Sequence, residues 1–162
     1  MNSLQLKYIL SHNKVTKKTF KNVIAYDELD KIKLHPKKFS SYIVNSAIKS
    51  TKGIHWIVIF GSSQVCEFFD PLGFNLTKFY RDLYKKLKKI TNKISYKNIR
   101  IQSFQSKNCG PFCCIYLYLR GLGLSQKNIF HNYFDTTNPE YNEYIVSLFI
   151  KSKKKNIKKS II

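Results

Sequence analysis

From position 109 the chain reads Cys109, Gly110, Pro111, Phe112, Cys113, Cys114, Ile115, Tyr116, Leu117, Tyr118 and Leu119, with no charged residue until Arg120. An unbroken run of this kind, closed by Gly121, predicts a helix that is apolar on every side, and such a helix is stable only inside a folded core. The rest of the chain must therefore wrap around it. Pro111 suits the first helical turn, where its missing N–H costs nothing, so the helix begins near Cys109. A thiol at that point faces unpaired backbone N–H groups and the positive end of the helix dipole. Both favour the thiolate, the nucleophilic form of cysteine.

A cysteine nucleophile needs a base, and the segment 53–70 offers one. Two runs rich in β-branched and aromatic residues flank Gly61, Ser62 and Ser63, which predicts a β-hairpin. With the turn centred between Ser62 and Ser63, His55 stands directly opposite Asp70 on the same face, where Cβ atoms lie roughly 4.5–5.5 Å apart. That is a base with an orienting carboxylate. The segment 98–102 reads as a strand that delivers Gln102 towards Cys109.

The order of His55 and Trp56, then Cys66 to Phe74, then a glutamine, then Cys109 to Cys114, resembles the adenovirus protease (adenain) family and, more distantly, the SUMO-specific proteases. The likeness covers roughly 36–119, about half the chain. It implies an α+β fold with a central, mostly antiparallel sheet and a buried helix carrying the nucleophile at its N-terminus. It also implies a cysteine endopeptidase with Cys109 as nucleophile, His55 as base, Asp70 as third member and Gln102, or alternatively Gln105, in the oxyanion hole. Substrates would be capsid or core precursors cut at glycine-containing sites, in the virion and the host nucleus or another reducing compartment. The adenovirus enzyme has glutamate where Asp70 stands. It also takes an activating peptide through a disulfide to a cysteine that 95–108 lacks, so a peptide activator here would not be disulfide-linked. Two other classes compete: an isopeptidase acting on a ubiquitin-like modifier, and a non-catalytic basic packaging protein that binds DNA.

Charge bears on partners. The chain carries 29 basic and 9 acidic residues, a net +20 in 162 residues, which predicts salt-dependent attraction to polyanions. The same excess of lysine, with many Ile and Asn, is the composition an A+T-rich genome would give. Arginine is limited to Arg81, Arg100 and Arg120, so DNA would be held without sequence readout, as a polyanion activator. The best candidate face is a helix over 76–90, N-capped by Asn75, with Leu76, Phe79, Tyr80, Leu83, Leu87 and Ile90 inward and Lys78, Arg81, Lys85, Lys86, Lys88 and Lys89 outward. A second is the lysine-rich stretch 151–162, including Lys153, Lys154 and Lys155, read as a disordered tail on a single domain over 1–150.

The remaining expectations are brief. Short helices are expected over 4–10, 39–48 and 141–150, and a strand or loop over 19–26. Cys66, Cys113 and Cys114 read as core, Trp56 as core beside the base, and His12, His35 and His131 as surface. No ligand spacing resembles a zinc finger, so no metal is expected. No apolar run is long enough to cross a bilayer and the start lacks the apolar core of a signal peptide, so we expect a monomer in a reducing, non-membrane compartment.

Overall fold

A computed structural model describes residues 1–50 and 54–159, with side chains as far as 152. Gly53, which the sequence places at the foot of the hairpin, and 160–162 lie outside the described residues, as do the side chains of Lys153, Lys154 and Lys155. Five strands, β1 (Phe20–Ile24), β2 (Ser40–Asn45), β3 (Trp56–Gly61), β4 (Val65–Phe69) and β5 (Lys93–Tyr96), form one sheet in that order. The central pairs β2/β3 and β3/β4 are antiparallel, whereas β1/β2 and β4/β5 are parallel. The sheet is therefore mixed rather than mostly antiparallel. The α+β class stands.

Helices cover both faces: α1 (Ser3–His12), α2 (Leu76–Phe79), α3 (Arg81–Ile90), α4 (Cys109–Gly121), α5 (Gln126–Asn132) and α6 (Pro139–Lys159). All six residues of β3 are buried, and successive side chains point to opposite sides of a strand. Trp56, Val58 and Phe60 pack with Phe112, Tyr116 and Leu117 of α4, while Ile57 and Ile59 pack with Leu83 and Leu87 of α3. The apolar helix α4 is thus enclosed between the sheet, Leu6 and Leu10 of α1, and Val146 of α6.

Several elements differ from expectation for identifiable reasons. The stretch 39–48 is no helix: Ser40–Asn45 is strand β2, buried along its length except for Asn45. Its apolar residues run continuously, and a strand covered on both faces needs no alternation. The segment 98–102 is no strand, since β5 ends at Tyr96. Instead Pro71 O accepts from both the Ile101 and Gln102 N–H groups, at 2.9 and 3.0 Å. The helix over 76–90 is broken at Tyr80. Helix α6 does not stop at 150 but continues to Lys159, through most of the stretch expected to be a disordered tail.

Candidate active site

The hairpin turn lies one residue later than the sequence suggests. The register pairs Gly61 with Cys66 and Val58 with Phe69, and Ser62 N–H donates to Val65 O at 2.8 Å. Asp70 is then diagonal to His55 instead of directly opposite. A displacement of two residues keeps both side chains on one face, because the side-chain period of a strand is two. His55 Nε2 and Asp70 Oδ1 are 2.7 Å apart, with only 7% and 0% of the two side chains exposed.

Asp70 is held as tightly as it holds His55. Its Oδ1 also accepts from Leu72 N–H at 2.8 Å, and its Oδ2 accepts from the Tyr80 hydroxyl at 2.8 Å. The sequence pattern places Tyr80 only on an apolar stripe. The break between α2 and α3 is where its buried phenol turns in to the carboxylate. Burial holds that phenol well above its usual range, and the Asp70 charge adds to this, so it stays a donor. The signal that could have found it is general: a buried tyrosine hydroxyl needs a partner.

Cys109 opens α4 and is buried, at 7% exposure. The Cys109 thiol neighbours the His55 imidazole; with Nε2 on Asp70, Nδ1 is the ring nitrogen left to face it. Burial alone would lower the imidazole pKa. The hydrogen bond and charge of Asp70, together with the neighbouring Cys109, outweigh it and raise it from 6.5 to about 9. Burial pushes the Cys66 thiol up to about 12 and that of Cys113 well above its usual value. Cys113 Sγ donates to Trp56 O at 3.2 Å.

The loop before α4 separates the two glutamines. Gln102 is buried at 1% exposure, and its Nε2 donates to Ser106 O at 3.0 Å, which leaves the second amide hydrogen uncommitted; Gln105 is exposed. Asn108 occupies the N-cap of α4 with no side-chain cap bond, and its Nδ2 donates to Glu143 Oε2 at 2.8 Å. The loop sits against the turn after Asp70. Gly73 has φ +71°, and a Cβ there would meet Arg100 N at 2.6 Å, so only glycine lets the two backbones approach this closely.

The expected wall of cations divides. Lys78 and Arg81 line a cleft of about 430 Å³ beside His55, with Ile54, Phe74 and Phe79 on its walls. Lys86 is paired with Asp30 at 3.2 Å and the exposed Lys85 with Asp82 at 3.8 Å, whereas Lys88 and Lys89 are exposed. His12, His35 and His131 are exposed as expected. Among the described residues no three His, Cys, Asp or Glu side chains are grouped to hold a metal, and no helix is long and apolar enough to cross a membrane.

Comparison with known proteins agrees with this architecture. The chain is 32% identical over 97 residues to the protease of bovine adenovirus 2 and 35% identical over 95 residues to that of bovine adenovirus B serotype 3, covering 52% and 50% of this chain and 47% of each relative. It spans about half the length of the curated relatives it matches. The crystal structure of the ASFV pS273R protease superposes with a TM-score of 0.54 at 18% identity, over 86% of this chain and 64% of that one, a likeness of fold. A family model described as adenovirus endoprotease (Peptidase_C5) matches residues 25–159. Because that match runs from the end of β1 to the end of α6, and takes in the hairpin, the glutamine loop and the cysteine helix alike, the chain belongs to the adenovirus endoprotease family.

Proposed function

We propose that this protein is a viral cysteine endopeptidase that cuts precursor proteins at glycine-containing sites during virion maturation. The observation that carries the reading is the buried His55, held between the Asp70 carboxylate and the Cys109 thiol at the start of α4. In the proposed step Cys109, as a thiolate paired with the His55 imidazolium, attacks the peptide carbonyl. The Cys109 backbone N–H and the free hydrogen of the Gln102 amide stabilise the oxyanion; burial favours Gln102 over Gln105. His55 then protonates the leaving amine and, once neutral, activates the water that releases the acyl group. The chemistry calls for no metal.

The remainder rests on charge and family likeness. A net +20 supports non-specific attraction to DNA, which would gather enzyme and substrate on one polymer in the virion or host nucleus. Exposed Lys85, Lys88 and Lys89 on α3 are its best contacts. Any peptide activator binds without a disulfide, since 95–108 holds no cysteine. The test is hydrolysis of a fluorogenic peptide ending in Gly-Gly under reducing conditions, for wild type and Cys109→Ala, with and without DNA and across salt. Turnover that vanishes in the variant and rises with DNA at low salt supports the proposal; turnover that survives Cys109→Ala removes it.

A further inference from the structure

The loop that carries Gln102 is irregular, and strand pairing does not fix it. Besides bonds within the loop, it is anchored at two places. One is the turn after Asp70, through Pro71 O. The other is a pair of adjacent residues on α6, Asn142 and Glu143. Asn142 is fully buried; its Nδ2 donates to Ile101 O at 3.0 Å and to Asp135 O at 2.7 Å, and its Oδ1 accepts from Asp135 N–H at 2.8 Å. Glu143 accepts from Ser103 N–H through Oε1 at 3.2 Å and from Asn108 Nδ2 through Oε2 at 2.8 Å. The two α6 side chains therefore grip the backbone on both sides of Gln102, and Glu143 also bridges to the residue before Cys109.

We propose that Glu143, supported by Asn142, is the positioning residue of the oxyanion hole: one carboxylate spans the loop and fixes the Gln102 amide relative to the start of α4. This rests on the cysteine endopeptidase reading above. Two physical consequences follow from the bridge. The Gln102 side chain starts from a backbone anchored at Ile101 and Ser103, so its amide is held in place before substrate arrives, which is what makes oxyanion donors effective. Glu143 also engages the Asn108 amide, so the residue before Cys109 is tied to the same carboxylate that holds the Gln102 backbone.

The role predicts a split that general loosening would not give. Alkylation of Cys109 by iodoacetamide forms no oxyanion and depends on the His55–Asp70 pair alone, whereas acylation by a peptide needs that pair and the oxyanion hole together. Glu143→Ala is expected to lower kcat by roughly tenfold to a hundredfold, less than the loss of an oxyanion donor itself, with KM and the alkylation rate changed less than about twofold. Glu143→Gln, which can still accept from Ser103 N–H, is expected to recover most of the loss. Hydrogen exchange reads the same bridge without turnover: in Glu143→Ala the Ser103 amide exchanges faster, while amides of β3 do not change. Equal losses in kcat and alkylation, an unchanged kcat, or unchanged Ser103 exchange would each overturn the proposal. A wild type without turnover and without fast Cys109 alkylation would count against the peptidase reading itself, and Ser103 exchange would still decide whether Glu143 holds the loop.

Discussion

Replacing Asp70 with asparagine tests what makes the thiol reactive. The substitution keeps size and shape, and the new amide can still accept from His55 and Leu72 N–H while donating to the Tyr80 hydroxyl, which is also an acceptor. What it removes is charge. His55 stands at about 9 against an ordinary 6.5, a preference for the imidazolium worth roughly 3 kcal/mol at about 1.4 kcal/mol per pH unit. Asp70 and Cys109 share that preference, so about half of it is assigned to Asp70. Its loss predicts a roughly tenfold to thirtyfold slower reaction of Cys109 with iodoacetamide at pH 6.5, where the wild-type pair is intact. With about half of the rise removed, the imidazolium of the Asp70→Asn variant is lost between about pH 7 and 8, before that of the wild type. Above about pH 9 the wild-type imidazolium is lost as well, and the two rates converge. The assay is the pseudo-first-order alkylation rate from pH 5.5 to 10, followed by intact mass. Equal rates at pH 6.5, or a gap that persists at pH 10, would refute the claim that Asp70 acts through the charge state of His55.

The other outcomes are more local. Tyr80→Phe leaves the buried Asp70 Oδ2 without its donor and is expected to cost about 1–3 kcal/mol in urea unfolding; an unchanged midpoint would contradict the assignment. Gly73→Ala puts a Cβ at φ +71° and against the Arg100 backbone; a stability loss above about 1 kcal/mol is expected, with reduced turnover because the displaced loop carries Gln102. The folded pKa of His55 is raised above its unfolded value, so its stabilisation is complete below about pH 6.5 and is lost as pH rises through about 9. Urea unfolding at pH 6 and 10 should show a fall in stability that His55→Gln reduces. At pH 7.5 iodoacetamide should label one thiol in the folded protein, and none in Cys109→Ser, because burial pushes Cys66 and Cys113 up and Cys114 is only 1% exposed.

The parts of the fold legible in sequence are those whose side chains have one physical use. Helix α4 is apolar all round, so it has to be interior, and Pro111 marks its start. The two strands of the hairpin are visible as β-branched and aromatic runs. The register differs by two residues because several adjacent small and polar residues, Gly61 to Gln64, can each form the turn. Parity preserves the face, and with it the His55–Asp70 pairing. Strand β2 escapes recognition since a strand buried on both faces shows no alternation. Tyr80, Asn142 and Glu143 stay hidden for another reason: their roles are hydrogen bonds to distant backbone or carboxylate groups, and no local pattern encodes those partners.

The measurement that bears most directly on the whole account is acid-quench trapping of the acyl-enzyme. The protein would be mixed with a peptide ester ending in Gly-Gly under reducing conditions, quenched after milliseconds to seconds, and mapped by mass spectrometry. The account predicts an acyl group on Cys109, absent in Cys109→Ala and slow to clear in His55→Ala, which lacks the base for hydrolysis. Product release with no adduct on Cys109, or an adduct on another cysteine, would contradict it.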